Sequence, residues 1–182
     1  MLTQEQQDVL LRLARESLRA WVCGEPTPKP DITDPALQEK LGAFVTLTKH
    51  GSLRGCIGLI EASRPVYQAV MDMARSAALE DPRFPPVEPP ELDDIRIEIS
   101  AIGPLEAISD PVEIQVGTHG LMIRKGFHSG LLLPQVASER NWSRSQFLEQ
   151  TCLKAGLAPN EWKQNAEMSV FTAQVFGDKH AR

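Results

Sequence analysis

In the stretch Gly51–Ile60, GSLRGCIGLI, Arg54 and Cys56 flank Gly55, and Gly58 follows two residues later. Along an extended strand, side chains two residues apart leave from one face, so Arg54 and Cys56 project together. A guanidinium beside a thiol, with backbone N–H groups freed around the glycines, would favour the thiolate, the nucleophilic form of cysteine. The same guanidinium could instead grip a carboxylate or phosphate through its planar fork. Either role asks for an anionic ligand. Glycine inside a strand gives up packing surface and marks a bulge, or a place where another backbone or a ligand comes close. The competing reading makes Cys56 a buried packing residue beside a bulge, since free cysteine is among the most buried residue types.

A cysteine nucleophile needs a base. His119, in the glycine turn GTHG, has the setting most suited to presenting one, and His128 in GFHSG is a second choice. His50 falls in a hairpin turn and His180 near the terminus. The competing reading, which the glycine turn favours, makes His119 a turn residue that tolerates a positive φ. In IRIEISAI, Ile95, Ile97 and Ile99 alternate with Arg96, Glu98 and Ser100, the period-2 pattern of a strand with one apolar and one polar face. Turned inward, that polar face would let Glu98 orient the histidine or act as the base. Solvated, it would do neither. The catalytic candidates are therefore Cys56, His119 and Glu98, and the substrate-binding candidates are Arg54, Gly55, Gly58, Arg83 and Ser100. Cys56, His119, His128 and Glu98 are all acceptable ligands for zinc or iron, but no pair has the close spacing of a dedicated site, so a metal-free site is expected. No cofactor is expected either: the glycine spacing of GSLRGCIG is wrong for a dinucleotide fold, and the chain has no Gly-Lys-Ser/Thr phosphate loop.

The elements that must position these residues follow from periodicity and punctuation. Thr3 with Gln6 makes a capping-box pattern before Leu10, Leu13, Ala14, Ser17, Leu18 and Trp21, which predicts a helix over 3–23. Prolines 26, 28, 30 and 35 make 24–35 an extended connector. AFVTLT, the turn KHGS and the glycine-rich segment predict a hairpin carrying Cys56. Ser63 and Pro65 open a second helix, whose stripe Val66, Ala69, Val70, Met73, Ala74 and Ala77 packs on the sheet. EIQVGTHGLMIRKG reads as strand, tight turn, strand, and HSGLLLPQVA as a further strand ending at Pro134. Ser143 with Gln146 caps a third helix running to Gly156, and MSVFTAQVF is the last strand. Cys152 lies on the apolar face of that third helix, and Cys23 at the end of the first; both read as packing residues. Strands joined by short turns, without regular βαβ alternation, predict an α+β fold with mixed or antiparallel sheets and packed helices.

Five prolines between Pro82 and Pro90 stiffen the loop EDPRFPPVEPPEL. Such a loop suits accurate presentation of a side chain, and we expect it beside the LRGCIG strand. Phe84 is expected in the core, with Arg83 directed into a cleft or paired with Glu98.

At 182 residues the chain is read as a single domain with a sizeable core. A net charge of −5 argues against a general basic field for nucleic acid or anionic lipid. Three well-separated cysteines, Cys23, Cys56 and Cys152, form no disulfide framework. No apolar run is long enough to span a membrane, and MLTQEQQDVL lacks the features of a secretory signal, so a cytoplasmic location is expected.

Taken in order, GAFVTLTKHGSLRGCIGLI, AALEDPRFPPVEPPEL, IEISAIGPLE, VGTHGLMI and GLLLPQVASERNW resemble the AMMECR domain family from about Leu41 to Phe176. LRGCIG is the hallmark of that family, and DPRFPPV and LLPQVA stand at the matching separations. The resemblance implies two unequal α+β lobes with a cleft lined by the LRGCIG segment. It also implies the A component of a gene set, AmmeMemoRadiSam, that encodes a Memo-type protein and a radical S-adenosylmethionine enzyme, which are the expected partners. The leading expectation is a reactive Cys56 acting with those partners on a small anionic or protein-borne substrate. The alternative is a non-catalytic adaptor that uses the same glycine-rich strand.

Overall fold

The computed structural model describes residues 1–178, and His180 lies outside them. The chain divides into two compact units: one takes Met1–Ile102 and the chain from Gln174 onward, the other Gly103–Ala173. The fold is α+β with antiparallel sheets and packed helices.

In the first unit, helix α1 (Gln4–Cys23) begins at the Thr3–Gln6 capping box, whose two side chains each accept the other residue's main-chain N–H. It ends at Gly24, whose φ of 69° is the left-handed conformation that glycine adopts without cost. The connector after it is neither helix nor strand until the short α2 (Pro35–Gln38), capped by Asp34. Helix α3 (Val66–Leu79) buries Val66, Ala69, Val70, Ala74 and Ala77 in one stripe. Its N-cap is Pro65 rather than Ser63, with no side-chain cap, because the main chain is already extended there.

Strands β1 (Gly42–Lys49), β2 (Ser52–Leu59) and β3 (Ile95–Ile102) form an antiparallel sheet in the order β2-β1-β3. The hairpin turns at His50 and Gly51, both with positive φ. Ala43, Val45, Leu47, Ile95, Ile97 and Ile99 face the helices and are buried; the alternation expected of β3 holds from Ile95 to Ile99, whereas Ser100 on the polar face is buried as well. Cys23 is exposed rather than packed, since the helix end carries it past the core.

In the second unit, β4 (Glu106–Ile108), β5 (His119–Lys125), β6 (His128–Leu132) and the first part of β7 (Glu167–Gly177) pair in the order β6-β5-β7-β4. Helices α4 (Pro134–Glu139) and α5 (Arg144–Lys154) accompany them, and the Ser143–Gln146 capping box opens α5 as expected. Leu121, Ile123, Phe147, Leu148 and Cys152 form its core. The strand expected before GTHG does not form. Asp110 caps a 3-10 turn at Pro111–Glu113 instead, because Pro111 fixes φ and lacks the N–H that a ladder needs.

The last residues of β7 belong to the first unit, where the Asp178 N–H donates to the Ile97 carbonyl at 2.9 Å. The Asp178 carboxylate accepts the Ile97 N–H at 2.8 Å and pairs with Arg15. Among the described residues no helix is long and apolar enough to cross a membrane.

Candidate functional site

The glycines of LRGCIG have an internal explanation. A Cβ on Gly55 would stand 2.0 Å from the Ala77 carbonyl oxygen, so α3 can lie against β2 only because this residue has no side chain. A Cβ on Gly58 would stand 2.1 Å from the Phe44 ring, which covers that position from β1. Leu47 opposes Gly55 while Thr48 opposes Leu53, which leaves Arg54 as the extra residue of a bulge.

Cys56 sits on the edge strand β2, half-buried and opposite Thr46. Its main-chain N–H donates to Asp81 Oδ2 at 2.9 Å, and its carbonyl accepts from Arg83 Nη2 at 3.4 Å. A strand edge left open exposes unpaired N–H and C=O groups; here an ion pair closes both. Asp81 Oδ1 accepts from the Arg83 main-chain N–H at 3.1 Å and from Nε at 3.0 Å, and Oδ2 accepts from Nη2 at 2.7 Å. The bonds from Arg83 hold the buried Asp81 carboxyl far below the usual carboxylate range, and the same contact raises Arg83. The Arg83 side chain is 55% exposed, and its Nη1 makes no hydrogen bond among the described residues. The Thr46 hydroxyl donates to Cys56 Sγ at 3.3 Å.

Arg54 turns its fork on Glu91, with Nε to Oε1 at 3.0 Å and Nη2 to Oε2 at 2.9 Å. Its remaining donors reach the carbonyls of Pro85 at 2.8 Å and Pro86 at 3.2 Å. Lys49 Nζ adds a bond to Glu91 Oε1 at 3.0 Å. With Arg54 as the largest cause, helped by the Glu88 N–H and Lys49, the Glu91 carboxyl is lowered to about 2. The anion in Arg54's grip is thus the protein's own, and the pair ties the proline-rich loop beside β2.

That loop does lie beside the LRGCIG strand, but its anchor is not the expected one. Val87 is buried and donates its N–H to the Ala78 carbonyl at 2.9 Å, while Phe84 is half-buried under the Arg83 guanidinium, 5.5 Å from the ring centroid. The carboxylate partner of Arg83 is Asp81, not Glu98, because Asp81 two residues back can satisfy both its main chain and its fork.

Cys56, Thr46 and Glu98 form one cross-strand row, and Gly58, Phe44 and Ser100 the next. Two strand spacings separate Cys56 from Glu98, so their α-carbons are about 10 Å apart. Glu98 is exposed and Ser100 buried. His119 opens β5 in the second unit, where its Nδ1 accepts the Gln115 N–H at 3.3 Å. His128, in the same unit, places Nδ1 3.3 Å from the Ala155 carbonyl. Among the described residues, no group of three or more His, Cys, Asp or Glu side chains is arranged to hold a metal ion.

Sequence reasoning overlooked Asp81, Thr46 and Glu91. The Asp-Pro step before Arg83 was a usable signal, because aspartate side chains bond to main chain two residues on. Thr46 follows from counting back through the hairpin turn. Nothing local announces that Glu91 meets a residue 37 positions earlier.

A protein from Thermococcus onnurineus is 46% identical, with 96% of this chain and 91% of that one covered. The Methanosarcina barkeri protein Mbar_A1807 is 44% identical, with 98% and 93% covered. The crystal structure of PH0010 from Pyrococcus horikoshii superposes with a TM-score of 0.89 at 39% identity, over 98% of this chain and 94% of that one. The AMMECR1 family model matches residues 11–176. On the strength of that match, which spans both units, the chain belongs to the AMMECR1 family.

Proposed function

We propose that Cys56 is the working thiol of a site on β2 and that Arg83 holds the anionic group of a small or protein-borne substrate. The reaction runs in the cytoplasm with Memo-type and radical S-adenosylmethionine partners. One observation carries this reading: the Asp81–Arg83 pair fixes both the N–H and the carbonyl of Cys56 and leaves one edge of the guanidinium open to solvent. A thiol held in this way meets a substrate without first losing main-chain freedom. In the bond-forming step, Sγ attacks an electrophilic carbon, the group on that carbon leaves with its electron pair, and the thiol proton passes to a base. Glu98, in the same cross-strand row, is the candidate for that base, while His119 belongs to the second unit. The Thr46 hydroxyl donates to the sulfur and supports negative charge there. Arg54 serves as the clamp on the loop, and Gly55 and Gly58 as the spaces that α3 and Phe44 need.

A second reading, a non-catalytic binding module on the same strand, is favoured by those two spaces, which account for both glycines without chemistry. It requires Cys56→Ser to bind the Memo-type partner as the parent chain does, with cellular function intact.

Alkylation of the native protein, followed by peptide mapping, separates the two parts of the proposal. Iodoacetamide is neutral and iodoacetate anionic, and exposed Cys23 serves as the internal standard. Cys56 is expected to react with both reagents and to show a higher iodoacetate-to-iodoacetamide rate ratio than Cys23, a preference that Arg83→Gln removes at Cys56 alone. A Cys56 inert to both reagents overturns the thiol. A ratio equal to that of Cys23 and unchanged in Arg83→Gln overturns the anion site.

A further inference from the structure

The edge strand β6 of the second unit lacks the closure that Asp81 and Arg83 give β2. Lys125 and His128 flank the two-residue turn Gly126–Phe127 and face each other. In an antiparallel hairpin of this length the flanking pair is hydrogen-bonded, so the residue next to it, and every second one after that, turns its N–H and C=O away from the partner strand. On β6 those residues are Ser129 and Leu131, and among the described residues neither main chain has a partner on that side. Ser129 is exposed and Leu131 half-buried, and β6 carries no proline or lysine to discourage pairing.

The hairpin is also held rigidly. Gly126 has a φ of 59°, Lys125 is paired with Glu161, and Gly130 lets the strand approach α5 so closely that a Cβ there would stand 2.4 Å from the Ala155 nitrogen. At the tip of this fixed hairpin the Phe127 ring is fully exposed. Leu133, just past the end of β6, is extended and half-buried.

We infer that β6 pairs antiparallel with β6 of a second copy of this chain, in a twofold arrangement centred on Gly130. The register decides the occupant. Centred there, Ser129 of one copy opposes Leu131 of the other, so the outward N–H and C=O groups of both are satisfied together. The same register sets Phe127 against Leu133 of the second copy, covering a ring that the isolated chain leaves fully exposed and a leucine that it buries only in part. His128 meets Leu132, and no like charges face each other. A five-residue edge with one aromatic contact at each end is smaller than a standard interface, so the association is weak.

Sedimentation equilibrium of the intact protein up to about 0.5 mM, combined with hydrogen exchange, tests this. The expected result is a monomer–dimer equilibrium in which the Ser129 and Leu131 amides exchange more slowly as concentration rises. Phe127→Ser, which alters only an exposed side chain, is expected to weaken association about tenfold or more. Ser129→Pro removes an N–H that β5 does not use, and is expected to abolish association while the monomer stays folded. A monomer at every concentration overturns the inference and leaves the edge to a foreign strand or to solvent. So does a dimer in which these amides and both variants are indifferent.

Discussion

The Ala77 carbonyl oxygen of α3 occupies the space where a side chain on Gly55 would begin, 2.0 Å from the Cβ position. The obstacle is main chain, so no rotamer change relieves it; either the helix withdraws or the strand bends. Gly55→Ala is therefore expected to destabilise the protein by about 2–3 kcal/mol in a urea titration, well beyond the few tenths that alanine gains by restricting the unfolded chain. A neutral Gly55→Ala would show that α3 and β2 are not in the contact described.

Glu91 couples stability to acid. Its carboxyl titrates at about 2 in the folded chain against an ordinary value of 4.5. A carboxyl depressed by folding contributes its stability in full above the ordinary value and loses it as pH falls through the folded one. The window is therefore about pH 4.5 to 2, and the contribution above it is on the order of 3 kcal/mol. Asp81 shifts in the same direction, so the parent chain carries both slopes. The difference between parent and Glu91→Gln isolates Glu91: the variant is expected to be less stable at pH 7, with the gap closing as the pH is lowered through that window. A gap that is constant with pH would remove Arg54 and Lys49 as the source.

Val87, rather than Phe84, seats the proline-rich loop. Val87→Ala is expected to cost roughly 2 kcal/mol and Phe84→Ala roughly 1, the reverse of what side-chain size alone suggests. Reversible unfolding of the two variants gives the order directly, and a cost of 3 kcal/mol or more at Phe84 would restore it as the anchor.

Local rules went far in the first unit because each element there is announced locally. The Thr3–Gln6 box, the prolines of the connector and the alternation of Ile95, Ile97 and Ile99 predict α1, the break after it and β3 without help from tertiary contacts. The same rules placed Cys56 on a hairpin and the loop beside it. They failed where a distant partner decides. Arg54 and Cys56 do fall on one strand, but the bulge at Arg54 interrupts the alternation between them and Glu91 takes the guanidinium, and no spacing rule reaches 37 residues along a chain. The glycines do mark positions of close approach, while which atoms approach them depends on how α3 and Phe44 pack. In the second unit, three-residue β4 is too short for a periodic signal, and Pro111 overrides the β-forming residues that follow it.

Strand β7 serves both units. Residues 103–173 interrupt the first unit and carry every strand segment that pairs in their own sheet, so that sheet needs nothing from beyond Ala173. The first unit differs, because the Ile97 N–H, the Arg15 guanidinium and the Leu2 N–H all find their partners at Asp178 or Gln174. A chain cut after Ala173 would therefore keep the strand partners of its inserted part and leave its enclosing part open at β3 and α1.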